Sequence, residues 1–254
     1  MAAPAVVVGN PAVIARRLLV ARLAGAFFLP LLLAGVIALP LFLLGVRGTA
    51  FSIGVDAGLL AGSVLLILPW YDPWSCGLRW PRATALIWPA AFVGLRTAPW
   101  LLIVPITGLR HDGVVLLASL LYFVLVAATA EEVFFRGLLL RASIDLTGRM
   151  LPALLISASL FGLVHVNQLL FVPIFVADGF ALGAIRIRTG SLVPGILGHG
   201  ILNFLTATLL IGSATVSDQR ALVYVALVLA VDLVVVVSSL MLRRSSLELL
   251  PQRL

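Results

Sequence analysis

The chain has little charge and no lysine at all. Of its 254 residues only 11% are charged, while 62% are hydrophobic. A soluble domain averages about 25% charged residues, so this chain has too little polar surface to cover a globule in water. In lipid every backbone N–H and C=O group needs an internal partner, which allows only helices or closed barrels to span. The apolar runs are long and unbroken instead of alternating as barrel strands do, so they predict helices.

Several kinds of chemistry are excluded because the necessary residues are missing. The single cysteine, Cys76, cannot form an internal disulfide or a cysteine metal cluster, and no histidine is near it in the sequence. A serine–lysine dyad is excluded because there is no lysine. The sequence also contains no HExxH pair, the usual helical zinc site of a protease, and no GxGD acid motif.

The long apolar runs predict an all-α, polytopic transmembrane helix bundle of about eight spans. The N-terminal part, residues 1–112, is expected to hold three transmembrane helices with an interfacial loop at residues 70–82. Residues 113–212 are expected to form a core of four helices. Residues 213–254 are expected to form a last span and a short cytoplasmic tail. The predicted spans are Leu23–Leu44, Phe51–Pro69, Ala83–Ile106, Val114–Leu140, Leu151–Leu170, Phe171–Ile185, Leu192–Ile211 and Leu222–Leu242.

The distribution of the basic residues predicts the orientation of this bundle. The formal net charge is +7 and every basic residue is arginine, which is typical of a GC-rich bacterial gene. With eight spans and a cytoplasmic N-terminus, twelve arginines lie in inside segments, three in outside loops and two, Arg96 and Arg136, within spans. This excess follows the positive-inside rule and predicts that both termini are cytoplasmic. The charge therefore reflects insertion in the plasma (inner) membrane and indicates no nucleic-acid partner.

Charged side chains within the spans are costly at bilayer depth, and such residues are functional candidates. The fourth predicted span contains Glu131, Glu132 and Arg136. Glu132 and Arg136 are four residues apart with the acid on the N-terminal side, which favours an ion pair on one helix face. Glu131 points about 100° away and lacks this partner. The pattern predicts a supporting Glu132–Arg136 pair and a freer Glu131.

Three further polar residues lie within the spans that follow: His165 in the fifth, and His199 and Asn203, one turn apart, in the seventh. Counting about 1.5 Å per residue from the cytoplasmic ends places them and Glu131 near the middle of the bilayer. A buried carboxylate can activate water, while a histidine and an asparagine can donate hydrogen bonds to an oxyanion. Two histidines and a glutamate could instead hold zinc with one open position. The residues alone leave both mechanisms open.

Other intramembrane features have structural interpretations. Arg96 lies in the middle of the third span and needs a buried partner, for which Asp56 and Asp178 are the candidates. Glycines at four-residue spacing, Gly54, Gly58 and Gly62 among them, predict close contact between helix backbones.

Three motifs resemble one known family. EEVFFRG at Glu131–Gly137, FGLVH at Phe161–His165 and HGILN at His199–Asn203 are similar to its EExxxR, FxxxH and HxxxN patterns, in the same order. The family is the CPBP family, the CAAX-protease and bacteriocin-processing intramembrane proteins, also called Abi proteins. The resemblance covers about residues 114–211.

The resemblance implies an intramembrane endopeptidase similar to the type II CAAX prenyl endopeptidases, acting on a membrane-anchored peptide or protein. It implies that Glu131 activates water, that His165 helps to position this water, and that His199 and Asn203 stabilise the oxyanion. Glu132 and Arg136 are then supporting residues, and no metal or cofactor is expected, although zinc is the alternative. The competing functions are a non-catalytic immunity or scaffold protein of the same fold and a proton-coupled transporter with these residues as a relay.

Overall fold

A computed structural model describes residues 11–103, 112–210 and 218–241. These residues form eight main helices, which we number α1 to α8 in chain order. Two short 3₁₀ helices, Ala83–Leu86 and Val166–Phe171, precede α3 and α6, and a π-helix, Leu205–Leu210, extends α7. The main helices are α1 Pro11–Leu43, α2 Gly48–Trp70, α3 Ile87–Ile103, α4 Gly113–Thr147, α5 Met150–Val164, α6 Val172–Thr189, α7 Val193–Phe204 and α8 Asp218–Met241.

The prediction of an all-α membrane helix bundle is confirmed. Four helical segments in the described ranges are long and apolar enough to cross a membrane: Ala15–Leu43, Gly48–Trp70, Gly113–Thr147 and Val166–Thr189. Two shorter apolar helical stretches in the same ranges are Met150–Val164 and Leu222–Val234. The count of eight crossings and the cytoplasmic termini therefore stay predictions, and the predicted span ends Ile106, Ile211 and Leu242 lie outside the described residues.

The predicted end of the fifth span, at Leu170, was wrong, whereas the predicted start of the sixth, at Phe171, lies one residue before the start of α6. Helix α5 ends at Val164, and a 3₁₀ segment with non-helical backbone at Gln168 separates it from α6. Three polar residues, His165, Asn167 and Gln168, lie at this end, but the apolar residues Val166, Leu169 and Leu170 between and after them extended the predicted span. The result for function is that His165 lies at the C-terminal end of a helix and not inside one.

Helix α4 is the centre of the fold and packs against α1, α2, α5 and α7. It contains two π-helical segments, Tyr122–Ala127 and Val133–Leu139, on either side of a short α-helical stretch, Ala128–Glu132. Such π segments within α-helices occur frequently at functional sites. The Glu131–Glu132 pair thus lies between two local changes of helical pitch, in the best-buried part of the chain.

Helices α1 and α2 pack closely through the predicted glycine row. A Cβ atom at Gly58 would lie 2.7 Å from the Cα atom of Ala34, and one at Gly62 would lie 2.7 Å from the Cα atom of Pro30. In both cases the obstacle is backbone, which cannot move aside as a side chain can. The prediction that this row serves helix packing is confirmed for these two positions.

The loop between α2 and α3 is bonded to the turn that leads into α7. The backbone N–H of Leu192 donates to the Gly77 carbonyl at 3.0 Å, and the Arg79 Nε donates to the Gly190 carbonyl at 2.7 Å. The Ser191 hydroxyl donates to the Arg79 carbonyl at 2.5 Å. These bonds join segments more than 100 residues apart in sequence and fix the start of the helix that carries His199.

Replacing Gly62 with alanine should destabilise the protein, because the new Cβ atom would overlap the Pro30 backbone. We expect a loss of about 1–3 kcal/mol, as for overpacked sites in general. Gly35→Ala on α1 is the matched control, since a Cβ atom there has nothing within 4 Å. Thermal unfolding of both variants in detergent measures the difference, and equal midpoints would contradict the packing described here.

Candidate active site

The carboxylate of Glu132 is fully buried and bonded to two helices at once. Its Oε1 atom accepts a hydrogen bond from Arg136 Nη1 at 2.8 Å, and this ion pair confirms the predicted one-turn pairing on α4. The same oxygen lies 3.0 Å from Nδ1 of His199 on α7. The sequence did not predict this second contact, which joins two of the three motifs directly.

Glycines on α7 make this contact between helices sterically feasible. A Cβ atom at Gly195, one turn before His199, would lie 2.8 Å from Oε2 of Glu132. A Cβ atom at Gly200 would lie 2.6 Å from the Cα atom of Val124 in the first π segment of α4. Small residues on α7 therefore let α4 and α7 approach at the level of the carboxylate.

The second ring nitrogen of His199 faces the other glutamate. Nε2 lies 3.8 Å from Oε2 of Glu131, which is too long for a direct hydrogen bond but short enough for a bridging water. That Glu131 oxygen is buried without a hydrogen-bond partner among the described residues. Since an ionised carboxylate only accepts hydrogen bonds, Nδ1 of His199 carries a proton toward Glu132, and Nε2 is the atom presented to Glu131.

His165 is held by its own helix and by two aromatic rings. Its Nδ1 atom lies 2.8 Å from the Phe161 carbonyl, which can only accept, so Nδ1 donates and Nε2 is left as an acceptor. The imidazole stacks on Phe175 with ring centroids 4.3 Å apart. The Phe161 ring contacts both histidines, with centroids 4.9 Å from His165 and 5.8 Å from His199. The phenylalanine of the FxxxH motif thus separates and orients the two imidazoles.

A small cavity brings together three of the four residues with predicted catalytic roles. It has a volume of about 50 Å³ and is lined by His165, His199 and Asn203 together with Phe161 and other apolar residues. A space of this size accommodates water-sized groups only. Glu131 is not part of its lining and reaches it through the contact with His199. The four residues are therefore neighbours, although their catalytic roles remain predictions.

Arg96 pairs with Asp178, one of its two predicted partners. Nε and Nη2 of the guanidinium donate to the two oxygens of Asp178 at 2.9 and 3.1 Å. The other candidate, Asp56, instead accepts a hydrogen bond of 3.0 Å from the Tyr122 hydroxyl. Because Asp178 also lines the small cavity, the ion pair forms one wall of the site.

Helix α8 completes this second buried cluster, which the sequence did not predict. The Tyr224 hydroxyl accepts a hydrogen bond of 2.6 Å from Nη1 of Arg96, and Oδ2 of Asp232 lies 4.0 Å from Nε of the same arginine. Both residues are buried. The two acids, the tyrosine and the arginine join α3, α6 and α8, so the last helix is bound to the wall of the site through charge.

Cysteine chemistry is excluded by the environment of Cys76. The side chain is fully buried in the loop between α2 and α3, and burial raises the pKa of the thiol to about 11. A thiolate, the reactive form, is therefore disfavoured at neutral pH. In the described part of the chain no three histidine, cysteine, aspartate or glutamate residues are arranged to hold a metal ion. The expectation of metal-free chemistry stays a prediction.

These features define a helical membrane protein with a cluster of two glutamates, two histidines and an asparagine, of which Glu132 and His199 are buried. Residues 113–205 match the model of the family described as type II CAAX prenyl endopeptidase Rce1-like. The match confirms the resemblance to the CAAX-protease family seen in the motifs, and the matched segment contains all four residues with predicted catalytic roles. Neither a curated protein nor a solved structure matches the chain.

Removing the Arg136 guanidinium should destabilise the site severely, because Glu132 would keep its buried charge with one partner fewer. We expect Arg136→Met to cost about 3–5 kcal/mol, as when one member of a buried pair is removed. The matched control is Arg141→Met on the same helix. Arg141 also pairs with an acid one turn away, Asp145 at 3.0 Å, but both side chains are nearly one-fifth exposed.

For this control we expect a loss of at most about 1 kcal/mol, because solvent screens such a pair. Denaturant unfolding of both variants in the same detergent provides the comparison. Equal losses for the two arginines would show that burial of the Glu132–Arg136 pair does not matter for stability.

Proposed function

We propose that the protein is an intramembrane endopeptidase that hydrolyses a peptide bond of a membrane-anchored protein or peptide with water activated by a glutamate. The family match supports a CAAX-type protease. The observation that carries the finer proposal is the position of the His199 imidazole between two carboxylates. It bonds Glu132 through one nitrogen and faces Glu131 with the other.

Glu131 acts as the general base in this proposal. A water between Glu131 and His199 gives a proton to the carboxylate, and the resulting hydroxide forms a bond to the carbonyl carbon of the scissile peptide. When the tetrahedral intermediate collapses, the C–N bond breaks and the amine nitrogen takes the proton from Glu131. The products are a new carboxylate and a new amine, and the glutamate returns to its ionised state. His165 supports this step because its free Nε2 can accept a hydrogen bond from the same water.

His199 and Asn203 stabilise the oxyanion of the intermediate. The Asn203 amide can donate from the wall of the small cavity, one helical turn from His199. His199 donates from Nε2 only when both ring nitrogens carry protons, since Nδ1 already donates to Glu132. Glu132 and Arg136 do not touch the substrate in this scheme. They hold the imidazole in one orientation, as a carboxylate does for a catalytic histidine in general.

Replacing Glu131 with glutamine should abolish cleavage, because the amide cannot accept the proton from water. The assay compares wild type and Glu131→Gln in proteoliposomes against membrane-anchored and prenylated peptides, each with and without a chelator. We expect cleavage by wild type alone and no effect of the chelator. The control is the thermal unfolding midpoint, which this isosteric change should leave within a degree or two. Cleavage by a folded Glu131→Gln variant would contradict the assignment of the base, and loss of activity with chelator would favour zinc.

Removal of the Asn203 amide should lower kcat much more than it changes KM, because an oxyanion donor acts in the transition state. We expect Asn203→Ala to reduce kcat by about 10²–10³, as for other oxyanion-hole side chains. Asn167→Ala is the matched control, since Asn167 is an exposed asparagine outside the small cavity. Steady-state kinetics on the same peptide separate the two constants. A rise in KM with kcat unchanged would assign Asn203 to ground-state binding.

A further inference from the structure

Four arginines from separate parts of the chain lie at the end of the bundle where α2, α4 and α6 terminate. They are Arg22 of α1, Arg79 of the loop between α2 and α3, Arg141 of α4 and Arg186 of α6. Together with Tyr71, which directly follows α2, we call them the arginine cluster. With the orientation predicted from the arginine distribution, this end of the bundle lies at the cytoplasmic surface of the membrane.

The positive charges of the arginine cluster are close enough to repel one another. The guanidinium carbons of Arg22 and Arg141 each lie 5.7 Å from the centroid of the Tyr71 ring, so two positive charges share one aromatic ring. The charge of Arg186 is repelled by those of Arg79 and Arg141. Such an arrangement is stabilised when a negative charge lies among the guanidinium groups.

Two glycines with left-handed backbone leave room for two of these guanidinium groups. Gly77 has a φ of +86° and Gly190 a φ of +69°, and a Cβ atom would overlap Arg186 at the first and Arg79 at the second. Arg186 Nη2 donates to the Ser75 carbonyl at 3.0 Å, and Arg79 Nε donates to the Gly190 carbonyl. Each guanidinium has five N–H groups. The backbone therefore fixes both groups in place and leaves further donors for another acceptor.

The acids near the arginine cluster do not balance its charge. Asp145 pairs with Arg141 at 3.0 Å. Asp72, the acid of the loop between α2 and α3, is exposed. In the part of the chain that the structure describes, no acid lies within ion-pair distance of the other three arginines. The cluster therefore has an excess of positive charge.

Buried donors in the arginine cluster also lack acceptors. The Tyr71 hydroxyl, Nε of Arg141 and Nε of Arg186 are buried without a hydrogen-bond partner among the described residues. All three can donate, and an unpaired buried donor is costly. An anion with several oxygen atoms supplies both the missing charge and the missing acceptors. A phosphate group fits this description best, because its oxygens accept charge-assisted hydrogen bonds from several guanidinium groups at once.

The surface around the arginine cluster suits a phosphate that is carried by a lipid. Trp74 and Trp80 of the same loop are 65% and 86% exposed, and tryptophan is enriched at the headgroup level of membranes. On α1, Leu29 is exposed about two helical turns deeper in the bilayer than Arg22, on the same face. An acyl chain can lie along Leu29 while its headgroup lies at Arg22. Basic pockets between helices on the cytoplasmic side bind acidic headgroups in this way.

We propose that the arginine cluster binds the phosphate group of an anionic phospholipid at the cytoplasmic surface. The phosphate lies between Arg22 and Arg141 and accepts a hydrogen bond from the Tyr71 hydroxyl. The same loop bonds the backbone N–H of Leu192, just before α7, so the bound lipid also stabilises the start of that helix. The site is separate from the proposed catalytic residues, and it does not depend on the proteolytic function.

Thermal unfolding in mixed micelles tests the proposal. The wild-type protein is titrated with phosphatidylglycerol, with phosphatidylcholine of the same acyl chains, or with inorganic phosphate, at about 0.15 M salt to screen general attraction. A ligand that binds the folded state raises the unfolding midpoint as its concentration rises. We expect a saturable rise with phosphatidylglycerol and none with phosphatidylcholine, whose ammonium group cancels the phosphate charge.

Three variants assign the binding to named residues. Arg22→Gln should raise the half-saturating mole fraction of phosphatidylglycerol at least about tenfold, as expected for a lost hydrogen bond between charged groups. Arg149→Gln is the matched control, since Arg149 is exposed at the same end and its charge does not act on Tyr71 or Arg186. It should cause a rise of at most about fivefold, the general contribution of one arginine near anionic lipid.

Tyr71→Phe keeps the net charge and should still raise the half-saturating mole fraction about threefold or more, because one hydrogen bond is lost. Without lipid its unfolding midpoint should be no lower than that of wild type, since the deleted hydroxyl has no partner among the described residues. This second measurement shows that the variant is folded, and it separates loss of lipid binding from loss of stability.

Equal stabilisation by the two lipids would overturn the proposal. So would a Tyr71→Phe variant that saturates as wild type does, or an Arg22→Gln variant that shifts no more than Arg149→Gln. A rise with inorganic phosphate equal to that with phosphatidylglycerol would make this a site for a free anion and overturn the lipid assignment. None of these measurements involves peptide cleavage, so their failure is distinct from a failure of the proposed protease function.

Discussion

The site depends on the two hydrogen bonds that the buried carboxylate of Glu132 accepts. A charge removed from water is tolerated only when its partners replace the lost hydration, and Glu132 has two, Arg136 on its own helix and His199 on α7. Separation of α7 from α4 would leave that charge buried with half of its bonds. The hydrogen bond between Glu132 and His199 therefore sets the register of the two helices at the depth where catalysis is proposed, while the ion pair with Arg136 fixes the carboxylate on α4.

The glycines of α7 and the loop before this helix allow the contact between Glu132 and His199 to form. Gly195 has no side chain because a Cβ atom would collide with the carboxylate, and Gly200 has none because α4 passes at van der Waals distance. The loop contacts at Gly77 and Gly190 fix where α7 begins. Glycine is normally unfavourable inside a helix. Here its lack of a side chain lets α7 come close enough to α4 for the hydrogen bond between His199 and Glu132 to form.

The contacts that depend on helical periodicity could be predicted from the sequence, because this periodicity is a local property. The Glu132–Arg136 pair follows from four-residue spacing, and the contact at Gly62 follows from a row of small residues. Contacts between distant segments have no such period. Nothing in the sequence shows that His199 shares an oxygen with Arg136, or that Asp232 joins Arg96. The end of α5 at Val164 was missed although His165, Asn167 and Gln168 follow it, because the apolar sequence resumes at Leu169 and composition alone does not show where the backbone leaves the helix.

In the proposed mechanism the two adjacent glutamates have different tasks. Glu132 is fully buried and holds an arginine and an imidazole through Oε1, which suits an anchor. Its Oε2 atom has no hydrogen-bond partner among the described residues, but it lies against Gly195 and not against Nε2 of His199. Side chains next to each other on a helix point about 100° apart, so the neighbour of an anchor faces a different environment at the same depth. Glu131 has that position: it lies beside His199 with an oxygen that no described group occupies. In the proposed mechanism the doublet thus places, on one helix turn, both the residue that holds His199 of α7 and the base that faces it.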